Sequence, residues 1–306
     1  MPNVASPLRS ASFLLPLSIL LFGASWPIVK MALSTAGATP VWLAASRSGL
    51  ACFALVVVLA LRGSLRLPSR SDLPTLLAVG ALQLTSFFVL CNYAIRHVPA
   101  GHTAVLSNSA LIWIVPLAAL MGWREPPMRW VAAGLALAGV AVLVGPWSIQ
   151  PAQSDALLGY ALLLTAALAW ACTIIITRLW PPSTGPLVLL PWAFALSFML
   201  LLVLAAVTER TGGVPVAAWP YAAFNGLVIA PFGTYCLVEI SRRLAPTISS
   251  ILFMAIPIAG VFASAIVLGE AVSMELALGA ILIVAGVGVA AINGSPNLRN
   301  KGARLS

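Results

Sequence analysis

The run GASWPIVK at residues 23–30 sets a tryptophan against a proline inside an apolar segment, and AWACTIII at residues 169–176 sets a second tryptophan in another, so that Trp26 is answered by Trp170 144 residues later. His102, Ser109 and Trp113 are answered at the same spacing by Pro246, Phe253 and Pro257. One spacing serves both pairs, which reads as one unit written twice. If each copy holds five spanning helices, an odd number, the second copy enters the bilayer from the opposite side. Inverted repeats of this kind are characteristic of secondary transporters.

Composition bounds the class. Hydrophobic residues make up 61% of the 306 and charged residues 8%, and the mean hydropathy is +1.05. Such a chain has too little polar surface to dissolve as a globule but suits a polytopic bundle in lipid. The net charge of +9 would point to nucleic acid in a soluble protein; here most Lys and Arg lie in short loops and tails, and the implied partner is the bilayer. Cys52, Cys91, Cys172 and Cys236 lie singly in apolar segments, so they read as packing residues rather than as disulfides or zinc ligands.

A spanning helix needs about 20 mainly apolar residues, and ten segments qualify: Ser12–Ala32, Pro40–Leu61, Leu73–Ile95, Gly101–Gly122, Met128–Gly145, Ala156–Arg178, Pro186–Val207, Trp219–Ile240, Pro246–Leu268 and Met274–Ile292. They divide the chain into a cytoplasmic tail (1–11), a first repeat (12–145), a linker (146–155), a second repeat (156–292) and a cytoplasmic tail (293–306). With both termini in the cytoplasm, twelve of the sixteen basic residues fall on the inner side, leaving Lys30, Arg47, Arg96 and Arg210 towards the outside. That is the positive-inside bias. Arg9 and the apolar run ending in Gly23-Ala24-Ser25 could pass for a signal peptide, but its removal would delete the partner of the Trp170 segment, so the run is read as the first span.

These residues resemble the drug/metabolite transporter superfamily, in its ten-helix branch with two EamA-type repeats. The resemblance rests on Gly23-Ala24-Ser25-Trp26-Pro27 with Lys30, on Arg47, and on Asn92-Tyr93-Ala94-Ile95 leading into Val98-Pro99-Ala100. It continues through Pro116 to Glu125 and the glycine-rich run 134–144, and in the second copy through Trp170, Ser241 to Pro246, Pro257, Leu268-Gly269-Glu270 and the run 279–289. It implies an inner-membrane exporter, often of amino acids or related metabolites, with a central cavity between the repeats and no cofactor. The second copy departs from the first in having no basic counterpart of Arg47.

In a bilayer, polar side chains and broken helices are tolerated where they face protein or water. That places Gln83, Ser86, Phe87 and Tyr93 of the third segment on a shared cavity face, with Ser109 and Trp113 of the fourth and Ser250 and Phe253 of the ninth. Asn225 and Phe232 of the eighth, broken near Pro231 and Gly233, join them, with Trp26, Trp170 and Thr173 completing the lining. Pro27, Pro116, Pro231 and Pro257 would supply hinges. Trp42, Trp123, Trp130, Trp147 and Trp219, near segment ends, read as interfacial anchors. The seven carboxylates all fall at or near segment ends, so no midplane acid is available to bind a cationic drug or exchange a proton. A multidrug exporter is therefore disfavoured, and a neutral or zwitterionic solute with apolar bulk is favoured. Lys30 and Arg47 either snorkel to the outer interface or meet a substrate carboxylate or phosphate; Glu239 forms a local ion pair with Arg242 and Arg243 or gates the cytoplasmic side. His97 and His102 have no third ligand, so no metal is expected. No nucleophile with a base lies at membrane depth, and an enzyme is not expected.

The expectation is an all-helical inner-membrane protein that exports amino acids, large neutral or aromatic ones among them, by alternating access and facilitated diffusion. The alternative is a sugar, nucleotide-sugar or sugar-phosphate carrier, which requires Lys30 and Arg47 to face the cavity. Small residues such as Gly134, Gly139, Gly279 and Gly286 make segments five and ten peripheral packing elements, in a monomer or in a homodimer that meets there.

Overall fold

The computed structural model describes residues 7–145, 155–244 and 246–292, and within them every side chain except those of 7–12, 241–243, 246–247 and 250–251. The expected tails and linker fall largely outside these residues, as do Trp147 and the Ser250 side chain.

All described secondary structure is helical. α1 is Pro7–Lys30, prolonged by a π turn at Met31–Thr35, and α2 is Pro40–Leu61. α3 runs over Arg70–Ala94 and α4 over Ala100–Leu120; α5 is Pro127–Val144, α6 Ala156–Leu179 and α7 Pro186–Thr208. α8 begins at Val216–Ala218 and ends with Thr234–Arg243. α9 consists of Pro246–Phe253 and Ala255–Leu268, and α10 is Met274–Ile292. Among the described residues nine helices are long and apolar enough to cross a membrane; α9 is divided at Met254 into two shorter pieces. The chain is a multi-pass membrane protein.

The duplication is visible in the helices themselves. Pro40 and Pro186, Arg70 and Val216, and Ala100 and Pro246 start corresponding helices 146 residues apart. The 144-residue match of His102, Ser109 and Trp113 to Pro246, Phe253 and Pro257 is therefore shifted by two, because likeness of residue type does not locate a helix start. Close approaches fix the register independently. A Cβ on Gly80 of α3 would lie 3.1 Å from the Ala193 carbonyl oxygen of α7, and one on Gly226 of α8 would lie 3.0 Å from the Arg47 carbonyl oxygen of α2. Gly80 and Gly226, and Arg47 and Ala193, are again 146 apart.

α3 and α8 also repeat each other in winding. Each opens on a 3-10 turn, has proline early in a five-residue α segment (Leu73–Leu77, Trp219–Ala223), then widens into a π stretch, Ala78–Ser86 in one and Phe224–Gly233 in the other. The expected break near Pro231 and Gly233 is thus a change of winding within a continuous helix: proline cannot serve the regular i→i−4 ladder, and the wider i→i−5 turn accommodates it. α4 is interrupted between Leu106 and Leu111, and α9 at Met254.

α5 and α10 pack on each other through their small residues. A Cβ on Gly139 would fall 2.7 Å from the Gly279 carbonyl oxygen, and one on Gly286 would fall 2.6 Å from that of Ala132. Gly139, Gly279 and Gly286 are thus packed within the chain, whereas Gly134 has nothing within 4 Å.

Candidate functional site

Alternation of the helices puts the Arg62–Arg70 connection, the starts of α5 and α7 and the ends of α6 and α8 at one end of the bundle, here called the arginine-rich end. The starts of α2 and α4 and the ends of α7 and α9 lie at the other.

That other end is closed by carboxylates set on helix starts, where backbone N–H groups lack intrahelical partners. Glu209, capping the end of α7, accepts from the Val41 N–H at 3.1 Å, the Trp42 N–H at 3.3 Å and the Tyr93 hydroxyl at 2.8 Å, and its carbonyl oxygen accepts from Trp42 Nε1 at 3.1 Å. Glu270, after α9, accepts from the N–H groups of Ala100 and Gly101 at 2.8 and 2.9 Å. Lys30 Nζ lies 3.4 Å from Glu270 and donates to the Val98 carbonyl at 2.9 Å.

Inward from this seal lies a cavity of about 470 Å3. It reaches from Thr75, Thr177, Pro182 and Pro186 at the arginine-rich end to Arg47 and Asn92. Its walls include Phe22, Trp26, Phe87, Phe88, Trp170 and Phe194, and its neutral polar groups include Ser25, Gln83 and Asn108. Phe87 makes edge contacts with both Phe88 and Trp170 at 5.2 Å between ring centres. Asn108 and Trp170 separate it from a second cavity of about 660 Å3, lined also by Arg129, Arg178, Phe253 and Pro257. Beyond Arg47, Phe88 and Asn92 a space of about 10 Å3 extends the first cavity to Asn225, roughly room for one water.

Arg47 is the exceptional group. It is only 8% exposed, about 10 Å along α2 from its start at the helical rise, and its Nε has no hydrogen-bond partner. Its guanidinium carbon lies 3.7 Å from the centre of the Phe88 ring. A ring contact of this kind contributes about 2 kcal/mol when desolvated, less than the several kcal/mol that burying a cation costs.

Of the expected lining, Trp26, Gln83, Phe87 and Trp170 meet in the first cavity, Asn225 at its blind end and Phe253 and Pro257 in the second. Ser86, Ser109 and Thr173 line neither cavity; they donate to carbonyls of Ala81, Leu106 and Ala169, with Thr173 also bonding the Ala78 carbonyl of α3. Trp113 fastens α4 to α6 through Nε1 and the Leu164 carbonyl at 3.0 Å. Tyr93 and Lys30 belong to the seal, and Arg47 does not snorkel. Phe232 is corrected: it is 54% exposed on the outer surface. Seven residues return to one face of an α-helix, but the π stretch between Asn225 and Phe232 adds residues to each turn and sends Phe232 outward. Pro27, Pro116 and Pro231 sit inside continuous helical segments, and Pro257 lies just past the α9 break. Glu239 lies in the last turns of α8, and the side chains of Arg242 and Arg243 are outside those described.

Asn108 and Asn92 were not singled out for the site by sequence reasoning. Asn108 stands in the interruption of α4, a position only the backbone reveals.

Two helical repeats with matched winding and a cavity between them meet the comparison with known proteins. The EamA-like transporter family matches residues 9–145 and 157–292. The chain belongs to this family. It is a membrane transporter, and the family's members are not enzymes. It is 28% identical over 304 residues to a probable amino-acid metabolite efflux pump of Salmonella typhimurium, covering 91% of this chain and 94% of that one. It is 25% identical over 289 residues to a probable terminal-alkyne amino-acid exporter of Streptantibioticus cattleyicolor, covering 92% and 93%. A solved crystal structure shares the fold with a TM-score of 0.62 at 20% identity, over 93% of this chain and 98% of its own.

Proposed function

We propose that this EamA-type transporter exports amino acids, large neutral or aromatic ones among them, across a bacterial inner membrane by alternating access and facilitated diffusion. The proposal takes α9 as the tenth span of two inverted five-helix repeats, with both termini cytoplasmic. The observation that carries it is the cavity of about 470 Å3, walled by aromatic rings and neutral amides with no carboxylate among its lining residues, closed towards Glu209 and Glu270 and reaching the arginine-rich end. An aromatic pocket with a few polar groups suits a solute with apolar bulk. With the arginine-rich end cytoplasmic, the cavity faces the compartment from which an exporter loads. The two named relatives, described as a probable terminal-alkyne amino-acid exporter and a probable amino-acid metabolite efflux pump, agree with this reading. The sugar-phosphate alternative needed two cations in the cavity; Arg47 is there, but Lys30 is engaged by Glu270 and Val98 in the seal.

The test is efflux of preloaded radiolabelled phenylalanine, leucine and tryptophan from proteoliposomes, with and without an imposed pH gradient, beside empty liposomes. Efflux down the concentration gradient at a rate indifferent to pH is expected. Gradient-driven accumulation would overturn facilitated diffusion, and movement of sugar phosphates in place of amino acids would overturn the substrate class.

A further inference from the structure

The architecture does not require Arg47. Its counterpart in the second repeat is Ala193, 146 residues on, in the same helix–helix contact: Gly226 packs on the backbone of Arg47 as Gly80 packs on that of Ala193. Both residues line the central cavity. One repeat closes this contact with alanine, so the other carries a buried cation for a reason outside packing.

The surroundings state what is missing. Among the described residues no carboxylate lies within ion-pair distance of Arg47 and no hydrogen bond engages its guanidinium; the Nε donor is buried and unused. A buried guanidinium is ordinarily paired with an anion, bidentately where geometry allows. Here Phe88 covers one face of it and the rest looks into a space that leads to the aromatic cavity. The amide of Asn225 at the blind end donates to Ser25 Oγ at 3.1 Å and leaves its Oδ1 without a donor.

We infer that Arg47 is the anion subsite of the transport cavity: it takes the carboxylate of a substrate whose apolar body lies among Trp26, Phe87, Phe88 and Trp170, while Asn225 Oδ1 accepts from an ammonium on the same head group. This rests on the reading of the 470 Å3 cavity as the transport site. It names the substrate class as a monocarboxylate with an aromatic or large apolar tail, for which the carboxylate is obligatory and the ammonium secondary. A cationic or uncharged aromatic compound lacks the group that Arg47 needs.

The test is equilibrium binding of tritiated 3-phenylpropionate to the purified full-length protein, with L-phenylalanine and phenethylamine as competitors. The wild type binds the probe; L-phenylalanine displaces it and phenethylamine, which has no carboxylate, does not. Arg47→Gln weakens binding roughly tenfold to a hundredfold, the effect of losing a charged hydrogen bond, and Arg47→Lys recovers part of it. The competitor series needs no variant, so a failure of Arg47→Gln to fold leaves the test intact. Equal displacement by phenethylamine, or unchanged binding in a folded Arg47→Gln protein, overturns the subsite. If the probe binds at Arg47 while no amino acid is exported, the subsite stands and the exporter reading falls. If amino acids are exported equally well by Arg47→Gln, the exporter reading stands and the subsite falls.

Discussion

At the scale of single residues, the cavity separates side chains that line it from those that hold the frame, and residue type alone does not make that separation. Phe87 and Phe232 are the same residue on equivalent composite helices, yet Phe87 is buried in the central cavity and Phe232 is exposed on the outer surface. Truncating each to alanine is expected to give opposite results in the phenylalanine efflux assay. Phe232→Ala leaves the rate within about twofold, as surface changes away from a site do. Phe87→Ala removes contacts to Phe88 and Trp170 and lowers the rate about tenfold, an aromatic wall contributing on the order of 1 kcal/mol beyond its area. Gln83 was legible in the sequence because an amide deep in an apolar segment is costly in lipid, and Trp26 and Trp170 because they answer each other across the two copies. For Ser86, Ser109 and Thr173 the sequence leaves frame and lining both open, because a hydroxyl that bonds its own helix carbonyl looks the same in sequence as one that lines a cavity.

At the scale of elements, the segments were legible from hydropathy almost end to end, while winding and register were not. A π stretch changes no residue type, so the face expected for α8 was drawn with α-helical spacing and placed Phe232 wrongly. The interruption of α4 that exposes Asn108 leaves no mark in hydropathy either. Gly139, Gly279 and Gly286, in contrast, marked close packing, and the partner is the other repeat, while Gly134 faces open space. Gly286→Leu would drive a side chain into the Ala132 carbonyl and the Ala136 backbone, where rigid backbone must move. It is expected to lower the unfolding temperature in detergent markedly, since overpacking costs about 1–3 kcal/mol even where side chains can yield. Gly134→Leu, with nothing within 4 Å, is the matched control and should leave the unfolding temperature unchanged. Equal losses from both would show that the α5–α10 contact is not the packed seam described.

At the scale of the whole molecule, both ends are fastened by carboxylates that accept from backbone N–H groups, and the proposed alternating access requires one of these fastenings to open. α2 and α7 are held at both ends. Glu209 bonds the start of α2 at one, and at the other the connection from α2 to α3 is tied to α7 and the loop before it: Asp72, at the start of α3, accepts from the N–H groups of Ser183 and Thr184 and from both their hydroxyls, while Trp192 Nε1 of α7 donates to the Arg66 carbonyl. This pair has the character of a fixed post. The start of α4 is held by Glu270, with Lys30 alongside, at the end that the proposed alternating access requires to open next. Weakening that hold should shift the population towards opening there. A cysteine at Val29, which lines the blind end of the cavity, placed in a chain freed of its four native cysteines, reports this through labelling by a membrane-impermeant maleimide added at the Glu270 end. Glu270→Gln keeps the shape but loses the charge that the helix start favours, an effect of up to about 2 kcal/mol, so labelling is expected to rise roughly fivefold to thirtyfold. Asp72→Asn loosens the fixed post instead, lowering thermal stability while leaving labelling at Val29 unchanged. If Asp72→Asn speeds labelling as much as Glu270→Gln does, the α2–α7 pair moves with the gate, and the division into a fixed post and an opening helix start is wrong.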